Sequence, residues 1–208
     1  MKVLLATDGS TFSEGAARFL TKFNFKPDDE ILVLYAMSWM PVINELEAFH
    51  VDFREIRDAV VPKVLASTEG ALKGVKARVS SRFLEDFPDR AIVDTAEKEG
   101  WDLIVMGARG LRGIDSYIVG SVTRSVAVKS GKPVLVVKPP QQEAAGNLKI
   151  LFASDGSAHS DALGKTLSGI PFPGGAEVTL LNVVFSALAD IPERFAPEIN
   201  DRIKGLVA

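Results

Sequence analysis

The sequence contains no cysteine and only two histidines, His50 and His159. It therefore cannot form a disulfide framework, a thiolate metal site or a thiol nucleophile, and it lacks a histidine-rich metal site. Its longest apolar runs, such as Ile31–Met37 and Pro133–Val137, have the length of strands. A membrane-spanning helix needs roughly 20 apolar residues in succession, so the sequence predicts no such helix.

An excess of charge of one sign is also lacking, since 24 basic residues stand against 27 acidic ones, a net charge of −3. Such a balance gives no general attraction to nucleic acid or to anionic lipid. Hydrophobic residues make up 47% of the 208 residues, as in an average globular protein. Asp8 interrupts the first apolar stretch too early for a secretory signal. We therefore expect a soluble cytoplasmic protein of one to two domains.

The chain repeats part of its own sequence. Residues 2–10 read KVLLATDGS, and residues 149–157 read KILFASDGS. The same offset of 147 residues aligns EILVLYA at 30–36 with EVTLLNV at 177–183. Any two buried strands look alike, but that similarity does not explain Asp-Gly-Ser after both first strands. With the polar, proline-started stretch between the copies, the pattern predicts a complete unit at 1–138, a linker at 139–148 and a partial second copy at 149–208.

Short apolar strands alternate with amphipathic helices through the first unit. Strands are predicted at Val3–Thr7, Ile31–Met37, Val75–Leu84, Leu103–Met106 and Pro133–Val137. One of the helices is predicted over about residues 43–73, with a possible break at Pro62. This alternation favours an α/β fold with a doubly wound parallel sheet covered on both faces. Such sheets bind ligands at the carboxyl ends of the strands, where the winding reverses.

The most specific local feature is a glycine-bearing loop that follows the fourth strand and opens a helix. Gly107 and Gly110 begin this loop, and Gly120 with Ser121 follows after nine more residues. Glycines let the backbone approach a ligand, and the first amides of the helix, at 121–123, are unpaired donors backed by the helix dipole. The pattern predicts a phosphate site. The alternative is that the glycines only turn the chain and Ser121 only caps the helix.

Better-known nucleotide and catalytic motifs are missing from this loop. It contains neither the Gly-Lys-Ser/Thr of a Walker A loop nor Gly-x-Gly-x-x-Gly. The adenylating and ATP pyrophosphatase signatures, His-x-Gly-His and Ser-Gly-Gly-x-Asp-Ser, do not occur in the chain. The sequence also lacks a nucleophile–histidine–acid grouping, metal-ligand spacing and a strong general base beside the loop. Any ATP hydrolysis is therefore expected to be slow.

The sequence resembles the universal stress protein family in its nucleotide-binding form. The resemblance rests on the segments Thr7–Ser10, Val105–Gly110, Gly120–Val122 and Pro133–Val137. That form is marked by Gly-x2-Gly-x9-Gly-Ser/Thr, and the spacing from Gly107 to Ser121 matches it. The resemblance covers residues 1–138 fully and residues 149–208 as the front part of a second unit. It implies a five-stranded sheet of order 3-2-1-4-5.

The resemblance also implies that ATP binds between the turn after the first strand and the glycine-bearing loop. Asp8 would lie beside the nucleoside, and the backbone near Ala36 would flank the adenine. A Mg or Mn ion could accompany the phosphates, although no protein ligand for it is evident. The residues expected to bind ATP are Thr7, Asp8, Ala36, Gly107, Arg109, Gly110, Gly120, Ser121, Val122 and Thr123.

The function implied by the resemblance is that of an ATP-binding regulatory protein of the stress response. Bound nucleotide would bias dimer or partner contacts, with slow hydrolysis or none. Members of the family often pair through the fifth strand, here Pro133–Lys138, which implies a homodimer or an intrachain pseudo-dimer. Two alternatives stay open: a nucleotide-free interaction module of the same fold, and a weak ATPase or adenylating enzyme.

Overall fold

The computed structural model of the chain describes residues 1–38, 53–109, 119–138 and 146–182. These residues form two compact units. The first unit contains the described residues of Met1–Leu148 together with Gly169–Ala176, and the second contains Lys149–Ser168 and Glu177–Asn182. Among the described helices, none combines the length and the apolar character that crossing a membrane would demand. The predicted helical residues 43–52 lie outside the described part of the chain, as does most of the predicted linker.

The first unit is built on a parallel sheet of five strands in the order β3-β2-β1-β4-β5. This order confirms the predicted doubly wound α/β fold. Its elements are β1 (Lys2–Thr7), α1 (Thr11–Leu20), β2 (Glu30–Ala36), α2 (Phe53–Ala71), β3 (Arg78–Leu84), α3 (Pro88–Lys98), β4 (Leu103–Gly107), α4 (Ser121–Lys129) and β5 (Val134–Val137).

Alternate side chains of the central strands lie in two separate apolar cores, one on each face of the sheet. Leu5 of β1 lies in one core with Leu20 of α1. Leu4, the neighbouring residue, lies in the other core with Ile92 of α3 and Val126 of α4. Because successive side chains of a strand point to opposite faces, a strand covered on both faces must be apolar throughout. This double coverage is why β1 and β2 read as uninterrupted apolar runs.

Two predicted elements differ in their details. The helix α2 runs through Pro62 without ending, because Val61 and Leu65 on either side pack against the first unit's core. A proline removes only one helical hydrogen bond, and this packing holds the helix in place. The third strand begins at Arg78 and not at Val75, since the Val75 amide instead donates to Leu72 O at 3.1 Å and closes a turn.

The second unit consists of β6 (Lys149–Ser154), α5 (Ala158–Gly169) and β7 (Glu177–Asn182). β6 and β7 are parallel, and their register pairs Lys149 with Glu177. In the first unit Lys2 pairs with Glu30, which is the same register at an offset of 147 residues. The two sheets differ in their coverage, because Leu180 is 65% exposed whereas its counterpart Val33 is fully buried.

A polar contact joins α3 to α4 beside the second core. Asp89, in the first turn of α3, accepts hydrogen bonds from Ser125 Oγ at 2.7 Å and from Lys129 Nζ at 2.8 Å. The Lys129 ammonium, with a further contribution from the Ser125 hydroxyl, lowers the pKa of Asp89 from 3.8 to about 2. The contact therefore stabilises the fold only while this carboxylate is charged.

We predict that Asp89→Asn lowers the free energy of unfolding at pH 7 by about 1 kcal/mol, a value reduced for the exposure of Lys129. Because the folded-state pKa is the lower one, the contribution is fully present above pH 3.8 and is lost as the pH falls towards 2. Urea titrations between pH 7 and pH 3 should show the difference from the wild type shrinking. Asp94→Asn, which removes an exposed contact to Lys98 on the same helix, is the control and should change stability by less. A deficit of D89N that does not depend on pH would contradict the prediction.

Candidate functional site

The candidate site lies at the carboxyl edge of the first unit's sheet, where β1 and β4 are neighbours. Their pairing runs from Val3 with Leu103 to Ala6 with Met106. The chain winds from β1 towards β2 and β3 on one side, and from β4 towards β5 on the other. The segments that follow β1 and β4 therefore leave the sheet side by side at the point where the winding reverses, as predicted.

The segment after β1 is a tight turn closed by the Asp8 side chain. The Ser10 amide donates to Asp8 Oδ1 at 3.1 Å, and Ser10 then caps α1 by accepting a hydrogen bond from the Ser13 amide at 3.2 Å. Gly9 has a φ of +75°, which only glycine adopts readily. A Cβ at this position would also lie 2.9 Å from Cγ2 of Val64 on α2. The backbone conformation of the turn therefore favours glycine at position 9, and the turn packs against α2.

The Asp8 carboxylate is half-buried and lies close enough to Tyr35 to influence it. Burial, and to a smaller extent the negative charge of Asp8, raises the pKa of Tyr35. In the sheet, Thr7 pairs with Tyr35, so Asp8 and Ala36 follow at adjacent positions beyond the last pair. Ala36 is buried, and the next amide, that of Met37, donates to Leu84 O at 3.1 Å.

Thr7 is buried beneath the turn, and its side chain is held within the protein. The hydroxyl donates to Ser13 Oγ at 3.1 Å and accepts a hydrogen bond from the Gly9 amide at 3.2 Å. A third partner is the hydroxyl of Thr68 on α2, whose oxygen lies 2.9 Å away. The Thr7 hydroxyl thus stabilises the turn by joining it to α1 and α2 through hydrogen bonds.

The end of β4 passes unusually close to the start of α1. A Cβ on Gly107 would lie 2.7 Å from the carbonyl carbon of Phe12 and 2.9 Å from the amide nitrogen of Ser13. Real Cβ atoms do not approach backbone atoms so closely, so this position requires glycine. The group that approaches Gly107 here is the protein's own backbone, and the approach of a ligand to this glycine stays a prediction.

Several hydrogen bonds bring the start of α4 against the end of β4. The Ala108 amide donates to Val137 O at 2.8 Å, and the Gly120 amide donates to Ala108 O at 2.9 Å. Thr123 is buried, and its hydroxyl donates to Gly107 O at 3.0 Å. The two ends of the predicted phosphate loop therefore meet at one place, and the proton of the Thr123 hydroxyl is used to hold them there.

The start of α4 has backbone donors that no side chain of its capping residue can satisfy. Gly120 is the N-cap, so Ser121 is the first helical residue and not the cap. The first intrahelical hydrogen bond beyond this point runs from the Arg124 amide to Gly120 O at 2.9 Å. The amides of Ser121, Val122 and Thr123 precede it, at the positive end of the helix dipole. A phosphate oxygen is a suitable acceptor for such amides.

The other predicted residues are placed as follows. The Arg109 guanidinium carbon lies 5.7 Å from the centre of the Phe12 ring, so this side chain reaches back over the start of α1. Gly110 lies outside the described residues. In the second unit, a Gly-Lys-Thr tripeptide at 164–166 lies inside α5 and not in a strand-to-helix loop, so it does not form a Walker A site. Across the described ranges, no group of three or more His, Asp or Glu side chains could hold a metal ion.

Sequence reasoning missed two residues at this edge, Thr68 and Tyr35. Thr68 lies 61 residues after Thr7 in the sequence, and a threonine on a helix carries no local signal of such a partner. Tyr35 is part of an apolar strand and reads as an ordinary core residue. Both take their role from the order of the strands and helices, which a local motif does not contain.

Comparisons with known proteins agree with this architecture. The profile of the Universal stress protein family matches residues 1–138. Universal stress protein MJ0531 of Methanocaldococcus jannaschii is 33% identical over 147 residues, which are 68% of this chain and 84% of that protein. Universal stress protein MJ0577 of the same organism is 28% identical over 152 residues, 66% of this chain and 94% of its own.

The solved structure of MJ0577 has the same fold. The structure of MJ0577 superposes with a TM-score of 0.55 at 30% identity, covering 68% of this chain and 97% of that one. A universal stress protein solved in complex with cAMP is 25% identical, with a TM-score of 0.48 over 67% of this chain and 98% of that protein. With the profile match over residues 1–138 and the shared strand order, the chain belongs to the universal stress protein family.

Proposed function

We propose that the first unit binds ATP at the carboxyl edge of its sheet and acts as a nucleotide-responsive regulatory protein. The observation that carries the proposal is the first turn of α4, whose amides at 121–123 begin next to Gly107 and share an edge with the Asp8 turn. Donors that are already in place bind a phosphate group without first having to be ordered. Membership of the family supports the same site.

Thr7 supports the Asp8 turn in this proposal, and the other predicted residues have roles nearer the ligand. Asp8 lies at the nucleoside end of the site, and the backbone beside Ala36 borders the adenine. Gly107 and Thr123 keep α4 against the end of β4 through their 3.0 Å hydrogen bond. The phosphate-binding amides are those of the α4 start. The residues assigned to ribose and phosphates are Gly107, Arg109, Gly110, Gly120, Ser121, Val122 and Thr123.

We propose that ATP is held at this site with slow hydrolysis or none. In-line attack on a phosphate is fast only when a residue positions or activates the water and when charge on the phosphates is neutralised. The described residues at the α4 start are hydroxyl, aliphatic and glycine residues, which do not serve as general bases at neutral pH. A Mg or Mn ion bound with the nucleotide would supply charge neutralisation. The nucleotide then serves as a regulatory ligand and not as an energy source. We place this function in the cytoplasm.

We further propose a tandem organisation, with a complete unit at 1–138, a linker at 139–148 and a partial copy at 149–208. Two local features support it. β6 and β7 pair in the register of β1 and β2. The Ser157 amide donates to Asp155 Oδ1 at 2.9 Å, as the Ser10 amide does to Asp8. The second copy would then contribute structure or contacts, since the phosphate-binding amides belong to the first.

Finally, we propose that the first unit pairs with another copy through the outer edge of β5, within Pro133–Lys138. Among the described residues β5 is paired on one side only, with β4. Val136 in this strand is 38% exposed, and Val128 of the adjacent α4 is exposed as well. An open apolar edge favours strand-to-strand association. An intrachain pseudo-dimer through the same strand is the alternative arrangement.

The ATP site is tested by Ser121→Pro. Proline is tolerated at the first helical position, and Gly120 already has the extended backbone, φ −59° and ψ 152°, that a following proline requires. The substitution removes one amide donor from the phosphate site while the helix is retained. We expect ATP affinity, measured by calorimetry, to fall about tenfold, because a hydrogen bond to a charged group is lost.

Ser121→Ala is the matched control, because it removes the hydroxyl but keeps the amide, and it should bind ATP almost as the wild type does. Adenosine, which has no phosphate, should bind both variants equally. ATP should also raise the melting temperature of the wild type by linkage. Absence of both heat and stabilisation at millimolar ATP would reject the proposed site and favour a nucleotide-free module.

The dimer proposal is tested by a pair of valines on opposite edges of the sheet. Val136 of β5 and Val79 of β3 are both 38% exposed. We predict that Val136→Lys converts a dimer into a monomer, because a charge at an edge strand opposes pairing, whereas Val79→Lys leaves the mass unchanged. Size-exclusion chromatography with light scattering gives the mass of each. A monomeric wild type, or a V136K variant that remains dimeric, would contradict the homodimer.

A further inference from the structure

A cluster of four buried hydroxyl groups lies directly beneath the Asp8 turn. Its members are Thr7 at the end of β1, Ser10 and Ser13 at the start of α1, and Thr68 on α2. All four residues are buried, and Thr68 has no exposed surface. No side-chain N or O atom of the described residues is buried without a hydrogen-bond partner, so the cluster is fully satisfied. We call these four residues the hydroxyl cluster.

The hydroxyls of Thr68, Thr7 and Ser13 can form a series in which each donates one hydrogen bond to the next group, ending at the Ser10 carbonyl. Either hydroxyl can donate in the 2.9 Å contact between Thr68 and Thr7; with Thr68 as the donor, Thr7 donates to Ser13 across 3.1 Å, and Ser13 donates to the carbonyl of Ser10 across 2.9 Å. Chained hydrogen bonds polarise one another and strengthen together. The chain ends on the residue that caps α1 and whose amide binds Asp8 Oδ1. A group on α2 is thereby connected to the backbone of the turn.

α2 also restricts the Asp8 turn through a packing contact between Val64 and Gly9. Val64, one turn before Thr68, lies so close to Gly9 that a Cβ there would be 2.9 Å from its Cγ2. Thr68 Oγ1 is also 3.0 Å from Val64 O, which gives its proton a second acceptor within α2. α2 therefore packs against the turn at Gly9 through Val64 and is hydrogen-bonded to it at Thr7 through Thr68. These two contacts restrict how far Asp8 moves relative to the start of α4.

Three of these four hydroxyls have counterparts among the described residues of the second unit. Ser154 donates to Ser160 at 2.9 Å, Ser160 donates to Ser157 O at 2.8 Å, and the Gly156 amide donates to Ser154 Oγ at 3.1 Å. These contacts repeat those of Thr7, Ser13 and Gly9 at the offset of 147 residues. In the second unit Asp155 and Gly156 of the turn are exposed, whereas their counterparts Asp8 and Gly9 are half-buried. The local bonds thus form without Thr68, and Thr68 is the added group that comes from elsewhere in the chain.

We propose that Thr68 is a positioning residue of the nucleotide site: through Thr7, its hydroxyl holds the Asp8 turn in the conformation that meets the ligand. The proposal rests on the proposed function, because it concerns the same site. Thr68 itself is fully buried and touches no ligand. It acts by reducing the motion of the turn before binding, which lowers the ordering cost that binding would otherwise include.

The test compares Thr68→Val, which has the same shape without the hydroxyl, with Thr68→Ser, which retains it. We expect T68V to weaken ATP binding about two- to tenfold, the effect of one buried hydrogen bond, and T68S to restore it. The Gly9 and Ser10 amides report the turn directly, since they donate to Thr7 Oγ1 and Asp8 Oδ1. In the nucleotide-free full-length protein, NMR should show several-fold faster hydrogen exchange of both amides in T68V.

Two control variants separate positioning from general stability. Ser67→Ala removes the neighbouring hydrogen bond from α2 to Glu14 of α1, 2.6 Å in length, without touching Thr7. Thr95→Val removes a buried hydroxyl from α3, on the other face of the sheet. Both should leave ATP affinity and the exchange of the Gly9 and Ser10 amides unchanged, even where they lower the melting temperature.

The outcomes distinguish this proposal from the proposed function. If the wild type binds ATP and T68V binds it equally well, Thr68 has no positioning role. Unchanged exchange of the Gly9 and Ser10 amides in T68V overturns that role even if no nucleotide binds. If the wild type does not bind ATP at all, the proposed function is rejected, and an exchange effect in T68V then assigns Thr68 to the turn alone.

Discussion

The close passage of β4 over the start of α1 is the constraint on which the candidate site depends. At Gly107 the two backbones are so near that a Cβ would lie 2.7 Å from the Phe12 carbonyl carbon. The same residue offers its carbonyl to the Thr123 hydroxyl at 3.0 Å, which sets the start of α4. One glycine thus fixes how α4, whose first amides are those at 121–123, lies relative to the turn after β1. A larger residue there would separate the two halves of the site.

This constraint is possible because β1 is covered on both faces. The strand contributes Leu5 to the core under α1 and Leu4 to the core under α3 and α4. Close packing on both faces fixes the register of β1 against β2 and β4, since a slip by one residue would bring side chains of the wrong shape into both packed cores. With the register fixed, the ends of β1 and β4 must fall at the same level. The chemistry at the edge is therefore a consequence of packing in the middle of the sheet.

The parts of the fold that a sequence predicts well are those with a strong local signal. The predicted bounds of β1, β2 and β4 agree with the structure to within one residue at either end, because each apolar run begins directly after a charged residue. The inward face of α3 has Ala91, Ile92, Thr95 and Ala96 at the three- and four-residue spacing of an amphipathic helix, and all four are buried. β3 was predicted to begin too early, because Val75 and Ala77 alternate with polar residues as a strand does, while the chain there still forms a turn.

The site is harder to predict, because its parts are joined by contacts between distant residues. The spacing from Gly107 to Ser121 indicated that this segment opens a helix with free amides, and α4 does begin at Ser121. The same spacing contained nothing about Thr68, whose contact to Thr7 spans 61 residues. It also did not reveal that the Thr123 hydroxyl is engaged by Gly107, since that bond requires β4 and α4 to be in place first.

The two Asp-Gly-Ser turns of the chain show how much of a binding site is local. Both close with a hydrogen bond from serine to the aspartate carboxylate, 3.1 Å at Asp8 and 2.9 Å at Asp155. At Asp155, hydrogen bonds from Ser157 lower the pKa of the carboxyl group, so the turn is well formed even in an exposed position. Among the described residues, the turn at Asp8 contacts α2 and shares an edge of the sheet with the start of α4. A short sequence is therefore sufficient to shape the turn, whereas the surroundings that would make it a nucleotide site come from the arrangement of the sheet.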